Sequence, residues 1–286
     1  MNGQAPPYIA SARMYAVSVA AAEAWRELLA QLARRARVPV QVIEFPAPAP
    51  IAELWAHPRK AAVFMCGLPF TRTLPSPYLL AAPVPSPAEF GGQPLYWSEF
   101  VVHADSPHRA LRDTFGGRIA LTSAESQSGF AAPLRYLRTA GGERPLFREV
   151  IAPQITPQGA LAAVAEGRAD VAAIDAYSLT LLRRYAPELV ANARVVAKTE
   201  PRPIPPLVAS EPLESLSRAF VEVREDPALQ PVMADLRLSR FARPDPASYR
   251  LLASEFEQTL RYWREHDLAT VMHPAFAQLT RQPAAE

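Results

Sequence analysis

Short apolar strands alternate with amphipathic helical segments along the first quarter of this 286-residue chain. Residues 13–19 predict a first strand, and residues 21–32 follow with one apolar helical stripe formed by Ala21, Trp25, Leu28, Leu29 and Leu32. Residues 38–43 and 61–66 predict two more strands, separated by a short helix at 51–57. This order predicts an α/β fold with a parallel sheet, right-handed crossovers, and ligands at the carboxyl ends of the strands.

A second α/β unit is predicted between residues 95 and 198. We expect its strands at 95–103, 118–122, 147–152, 169–175 and 193–198. The helix after the second of these strands is expected to end at Gly141-Gly142. The tail is predicted to be helical at 212–224 and 227–238, and its last helix carries an apolar stripe of Tyr249, Leu252, Phe256, Leu260 and Trp263.

Two breaks in the pattern predict that the second α/β unit is inserted into the first. Gly91-Gly92 precedes it, and the proline-rich segment 199–206 follows it. We therefore expect one lobe at 8–95 and 199–270, which includes the C-terminal helices, and a second lobe at 96–198. The hinge is expected near 92–97 and 198–204, and a single rigid domain with one continuous sheet is the alternative.

The composition excludes several kinds of partner. Thirty basic and 28 acidic residues leave a net charge of +2, without a long basic run, so we expect no binding to nucleic acid and no insertion into a membrane. Cys66 is the single cysteine, and the five histidines lack ligand spacing, which predicts neither a disulfide nor a metal site. Walker, GxGxxG and nucleophile-elbow motifs are absent, so we expect no cofactor and no enzymatic reaction.

The N-terminal sequence shows no export signal, and no run of about 18 apolar residues could span a bilayer. Two interpretations of the missing signal stay open. Either the protein remains in the cytoplasm, or the numbering begins after a leader has been removed.

A hydroxyl-rich turn joins the predicted strand at 118–122 to the helix that follows it. Ser126, Gln127 and Ser128 lie where this helix begins, and Gly129 comes directly after them. The first N–H groups of a helix lack internal partners and carry the positive end of its dipole, so this start predicts an anion site. The alternative is that Ser126 or Ser128 only caps the helix. Pro133 cannot donate an N–H, which predicts an irregular first turn.

Other candidate ligand residues lie at predicted strand ends and at the hinge. Gly67, after Cys66, allows close approach of a ligand, although both residues would equally suit a structural turn. Tyr96 and Ser98 lie on one face of a strand that starts after the glycine break, and edge-strand polar residues are the alternative. Asp175 ends an apolar strand, where it is either a helix cap or an acceptor for a polar or cationic group of a ligand larger than phosphate.

Taken together, these residues resemble the phosphonate, phosphite and phosphate type of ABC-transporter substrate-binding protein. The resemblance covers residues 8–265. It is carried by residues 10–15 (including Tyr15), Cys66 to Pro69, Tyr96 to Ser98, Ser126 to Gly129 with Pro133, residues 167–175 and residues 199–206. Gln127 departs from the family's Ser-Thr-Ser-Gly form and removes one hydroxyl.

The resemblance implies a two-lobed, type 2 periplasmic-binding-protein fold, in which each lobe is a mixed, mostly parallel sheet flanked by helices. It also implies that Ser126, Gln127, Ser128, Tyr96 and Ser98 hold an anionic head group. The complete set of expected ligand residues is Tyr15, Cys66, Gly67, Tyr96, Ser98, Ser126, Gln127, Ser128, Gly129 and Asp175.

The function implied by this resemblance is capture of a small anionic ligand between two closing lobes, for delivery to an ABC transporter. The ligand is expected to resemble a phosphonate or a phosphate ester. The implied partner is an ABC permease, the implied location is the periplasm, and the protein is expected to be a monomer. A cytoplasmic ligand-sensing module or an enzyme on the same fold is the alternative.

Overall fold

The structure is a computed structural model that describes residues 7–140 and 146–266. Its strands are β1 (Tyr8–Ser11), β2 (Val40–Val42), β3 (Lys60–Phe64), β4 (Tyr78–Pro85), β5 (Leu95–Tyr96), β6 (Ser98–His103), β7 (Arg118–Ala120), β8 (Glu149–Ile151), β9 (Val171–Asp175), β10 (Ala193–Lys198), β11 (Arg202–Pro203), β12 (Leu207–Ala209) and β13 (Leu238–Ala242). Its α-helices are α1 (Val19–Ala36), α2 (Ile51–Ala56), α3 (Gly67–Arg72), α4 (Ala132–Arg138), α5 (Pro157–Ala165), α6 (Ala176–Tyr185), α7 (Pro187–Ala191), α8 (Glu214–Glu222), α9 (Gln230–Asp235) and α10 (Pro246–Glu265).

The described residues form two compact units. Of these residues, unit 1 contains those up to Leu95 and 203–249, and unit 2 contains those between 96 and 202 and those from Arg250 onward. The expected helix end at Gly141-Gly142 lies outside the described residues. None of the helices in the described ranges is long and apolar enough to cross a membrane.

Unit 1 is built on a six-stranded sheet in the order β13-β4-β12-β3-β1-β2. β1 runs parallel to both β2 and β3, so the carboxyl ends of these three strands meet at one edge. β12 pairs antiparallel with β3 and with β4, and β13 pairs antiparallel with β4. The α/β class is confirmed, and the sheet is mixed rather than mostly parallel.

The first strand lies earlier than the sequence predicts. The prediction of a strand at 13–19 is wrong, since β1 pairs with its neighbours through Ile9 and Ala10. Arg13–Tyr15 forms a short 3-10 helix instead. Ser18 then caps α1, with its hydroxyl accepting the Ala21 N–H at 3.0 Å, so the following residues begin a helix.

Unit 2 is built on a five-stranded sheet in the order β10-β6-β9-β7-β8. β7 runs parallel to β8 and β9, whereas β6 pairs antiparallel with β9 and β10. The carboxyl ends of β7 and β9 therefore lie at the same edge, one leading into residues 121–129 and the other ending at Asp175.

The segments that lead from one unit to the other form a small sheet of their own. β5 and β11 pair in a two-stranded sheet, separate from the six-stranded and the five-stranded sheet. These strands lie within the hinge segments that the sequence predicts near 92–97 and 198–204.

The C-terminal helix was predicted to belong to the first lobe. In the structure, α10 belongs to unit 2 from Arg250 onward. Its Trp263 donates from Nε1 to the Leu134 carbonyl at 3.1 Å, and the Phe256 ring lies 6.1 Å from the Phe130 ring. An amphipathic stripe identifies a buried helix face but not the surface that covers it. α4 supplies part of that surface in unit 2.

Candidate functional site

The turn after β7 in unit 2 is organised around an irregular helix start. Ser126 is the N-cap of a π turn (Gln127–Ala131), which continues directly into α4. The Ala131 N–H bonds to the Ser126 carbonyl at 3.0 Å, five residues back, as in a π-helix. The irregular first turn that Pro133 predicts is therefore present.

Pro133 also explains why carbonyls of this turn accept hydrogen bonds from outside the helix. Because proline has no N–H, a residue at this position cannot donate back to the carbonyls of the preceding turn. The Ser128 carbonyl accepts the Ser98 hydroxyl at 2.6 Å, and the Gly129 carbonyl accepts the Thr122 N–H at 3.2 Å. Ser98 in β6 and Thr122, two residues after β7, thus satisfy acceptors that the helix leaves open.

The two serines of the turn have different roles. Ser126 Oγ accepts the Gly129 N–H at 2.9 Å, which is an N-cap bond. The Ser128 N–H has no acceptor among the described residues, and Ser128 is only 8% exposed. The capping interpretation therefore holds for Ser126. Ser128 has a backbone donor at the positive end of a helix, where an anion would be stabilised.

Gly129 is required by its contact with Thr122, a residue that the sequence analysis did not include among the candidates. A Cβ atom at position 129 would lie 1.8 Å from Thr122 Oγ1 and 2.8 Å from Thr122 Cβ. Since real Cβ contacts are far longer, only glycine fits beside this threonine. The backbone of the turn packs directly against the end of its own strand.

Ser98, for which the resemblance implies contact with an anionic head group, supports the turn. It is fully buried at the start of β6, and its hydroxyl donates to the Ser128 carbonyl. Its N–H bonds to Thr199 Oγ1 at 2.9 Å. Tyr96 is also buried, at 1% exposure, in the small hinge sheet. The Ser98 side chain thus holds the backbone of the turn at Ser128.

Asp175 is the N-cap of α6, as one of the two interpretations of this residue predicts. Its carboxylate accepts the Ser178 N–H at 2.5 Å, and the residue is 7% exposed. Burial, with a smaller contribution from the nearby Glu99 carboxylate, raises the pKa of Asp175 to about 7, against the lowering effect of the Ser178 hydrogen bonds. Asp175 is paired with Ser98 across β9 and β6, which places it in the same part of unit 2 as the turn.

The remaining candidates lie in unit 1. Cys66 is the N-cap of α3 and Gly67 is its first residue, so the segment forms a short helix rather than an open turn. Tyr15 is 1% exposed and its ring meets the Phe64 ring edge-on at 4.9 Å. The Trp25 ring lies 6.5 Å from the Tyr15 ring and 5.0 Å from the Phe64 ring, so the three rings form one cluster. Tyr15 is therefore part of the aromatic core of unit 1.

The comparison with family models identifies the family. Residues 15–249 match the model of the phosphonate ABC-transporter periplasmic substrate-binding proteins. The chain belongs to this family. No curated protein sequence matches it. The resemblance inferred from the sequence, and the substrate-binding function that goes with it, are confirmed.

Solved structures show the same two-lobed fold. A binding-protein component of an ABC phosphonate transporter from Pseudomonas aeruginosa matches with a TM-score of 0.73 at 19% identity, covering 93% of this chain and 89% of that one. PhnD1 from Prochlorococcus marinus, solved with methylphosphonate, matches with a TM-score of 0.71 at 17% identity, covering 90% and 98%. A Xanthomonas citri protein bound to ATP matches with a TM-score of 0.63 at 19% identity, covering 92% and 100%.

Within the described ranges, no cluster of three or more His, Cys, Asp or Glu side chains is arranged to hold a metal ion.

Proposed function

We propose that this substrate-binding protein captures a small phosphonate or phosphate ester by docking its anionic group on the helix start at Ser128. The Ser128 N–H carries this proposal, because it is a nearly buried donor without an acceptor among the described residues. Desolvation strengthens the bond between such a donor and an anion. The methylphosphonate bound to PhnD1 supports the ligand class.

The proposed role is binding without a chemical reaction. The matching family model describes substrate-binding proteins of ABC transporters, which supports this role. A nucleophilic serine needs a neighbouring base, and here the Ser126 hydroxyl accepts the Gly129 N–H while the Ser98 hydroxyl donates to a backbone carbonyl. The carboxylate of Asp175 accepts the Ser178 N–H of α6.

Membership of the family supports a small-molecule ligand, an ABC permease as partner and a periplasmic location. That the protein works as a monomer, and that it bends at the β5 and β11 segments, are further proposals. The hinge proposal is supported by the separation of these two strands from both larger sheets.

Calorimetric titration with methylphosphonate tests this function. We expect saturable binding to the wild-type protein, and we expect Ser128→Ala to weaken it by about 1–3 kcal/mol, since this variant removes a hydroxyl beside a charged group. Ser126→Ala is the matched control, because it removes a cap and should lower the free energy of unfolding by about 1 kcal/mol with little effect on affinity. Equal affinity losses in both variants would contradict the assignment of the anion to Ser128.

A further inference from the structure

Ile155 lies at the same edge of the unit 2 sheet as the turn at Ser128. β8 runs parallel to β7, so the segments that follow these two strands leave the sheet at one edge. The Leu121 N–H donates to the Ile151 carbonyl at 3.2 Å, and the Gln154 N–H donates to the Leu121 carbonyl at 3.0 Å. The two segments therefore stay paired beyond the strands, up to the residue before Ile155.

The peptide group between Leu121 and Thr122 joins this segment to the turn. Its carbonyl accepts the Gln154 N–H at 3.0 Å, and its N–H donates to the Gly129 carbonyl at 3.2 Å. With ordinary peptide dimensions, the Gln154 nitrogen and the Gly129 oxygen are at most about 9 Å apart. Ile155, next to Gln154, and the helix start thus flank the same peptide group within a single unit.

The backbone of Ile155 adopts a conformation that its side chain disfavours. Its φ is 53°, in the left-handed region, where a β-branched residue is an outlier and glycine or asparagine fits at lower cost. Hydrogen bonds on both sides hold it there. The Gln154 N–H is bonded to Leu121, the Gln154 carbonyl accepts the Thr156 N–H, and Thr156 Oγ1 accepts the Gly159 N–H at 3.1 Å as the N-cap of α5. Strain that the surroundings maintain in this way is typical of ligand-binding segments.

The Ile155 side chain is also exposed, over 49% of its surface. In the part of unit 2 that the structure describes, one other large apolar side chain is comparably exposed, Leu251 on α10. A single exposed apolar side chain is common on protein surfaces. At Ile155, however, the exposure coincides with a strained backbone and with a position beside the Ser128 turn. Packing in the core does not account for an isoleucine here.

We propose that Ile155 is a specificity-determining residue that contacts an apolar substituent of the solute. This inference rests on the proposed function, which docks the anionic group at Ser128 and leaves the rest of the solute to neighbouring segments. Contact with Ile155 removes an alkyl or aryl group from water, and it gives inorganic phosphate no such stabilisation. The solute class is then a phosphonate or phosphate ester that carries a hydrocarbon substituent.

Calorimetric titration with two phosphonates that differ only in chain length tests the proposal. Butylphosphonate has three more methylene groups than methylphosphonate. We expect the wild-type protein to bind butylphosphonate about tenfold or more tightly, since each methylene removed from water contributes about fourfold. Ile155→Asn should remove this preference and leave methylphosphonate binding in place, and Ile155→Leu should keep most of it.

The stability of Ile155→Asn separates a ligand contact from a structural role. Asparagine adopts the left-handed conformation more readily than isoleucine, so the variant should have a free energy of unfolding no lower than that of the wild type. Leu251→Asn is the matched control, because it makes the same kind of change on α10 and should keep the preference for butylphosphonate. An unchanged preference in Ile155→Asn, or equal weakening of both phosphonates, would overturn the inference.

A second pair of probes, methanesulfonate and butanesulfonate, separates this inference from the proposed function. If neither phosphonate binds, or if Ser128→Ala binds both as tightly as the wild type, the proposed function is wrong. A preference for the butyl member of either pair that is lost in Ile155→Asn would still support the apolar contact. If neither pair shows a preference that depends on Ile155, the inference is wrong whatever happens at Ser128.

Discussion

The helix starts after β3 in unit 1 and after β7 in unit 2 follow parallel strands, yet their first N–H groups are satisfied differently. In unit 2, the Ser126 hydroxyl accepts the N–H of Gly129, the third residue of the turn. In unit 1, the third residue of α3 is Pro69, which has no N–H, and the Cys66 side chain makes no cap bond. A shared place in the fold therefore does not make the two starts equivalent as anion sites.

The two edges also differ in the source of their positive potential. The unit 1 edge has the guanidinium of Arg13, whereas residues 126–131 of unit 2 contain no charged side chain. The unit 2 turn has backbone dipoles and serine hydroxyls instead, and its neighbouring carboxylate, Asp175, has a raised pKa. In the proposed function the unit 2 edge attracts an anion by directed hydrogen bonds, whereas the unit 1 edge has a cationic side chain.

The largest effect is expected where the unit 2 turn packs most tightly. Gly129→Ala places a methyl group 1.8 Å from Thr122 Oγ1, so the turn must move away from the strand. We expect a loss of more than about 3 kcal/mol in the free energy of unfolding, at or above the usual cost of overpacking, and no detectable methylphosphonate binding. Denaturant unfolding and calorimetry measure both quantities.

A double variant that combines Gly129→Ala with Thr122→Ala is the control for this steric argument. The Thr122→Ala change removes Oγ1 and Cγ2 but leaves Cβ, which would still lie 2.8 Å from the new methyl group. The double variant should therefore recover part of the lost stability. If Gly129→Ala alone is as stable as the wild type, the close packing of this turn is not as described.

A smaller effect on stability is expected from the titration of Asp175. It tests whether the unit 2 edge carries a negative charge. The folded-state pKa of Asp175, about 7, lies above the unfolded value of about 3.9, so the folded state binds more protons in this window. The stability of the wild type should fall as pH rises through this range, by roughly 2 kcal/mol between pH 5 and 7, at about 1.4 kcal/mol per pH unit.

Asp175→Asn removes this titration and keeps an oxygen that accepts the Ser178 N–H. The unfolding free energy of the variant, measured against pH beside the wild type, should lack this decline. Parallel curves for the two proteins would show that Asp175 titrates normally and that the unit 2 edge holds a full negative charge.

The sequence predicts most of the strand order because apolar runs and their turns are local signals. The helix start at 126–128 and its irregular first turn follow from hydroxyl caps and from Pro133, all within a few residues of each other. The strand at Tyr8–Ser11 was missed because residues 13–19 are equally apolar, and only its pairing with β2 and β3 decides which segment forms the strand.

Long-range contacts explain what the sequence could not show at the site. Ser98 donates to the Ser128 carbonyl across 30 residues, so this residue has a structural role in the turn, and its contact with a ligand stays a prediction. Thr122 restricts position 129 to glycine, and this restriction is visible only when the two residues are seen side by side in the structure. Arg13 was predicted to lie in a strand, and its position over the Phe45 ring depends on the strand ending at Ser11.

A crystal structure of the protein with methylphosphonate tests the central claim most directly. We predict that a phosphonate oxygen lies within about 3 Å of the Ser128 backbone nitrogen, with Ser126 Oγ still bonded to the Gly129 N–H. A phosphonate group bound away from the 126–129 turn, with an ordered water on the Ser128 N–H, would contradict the claim.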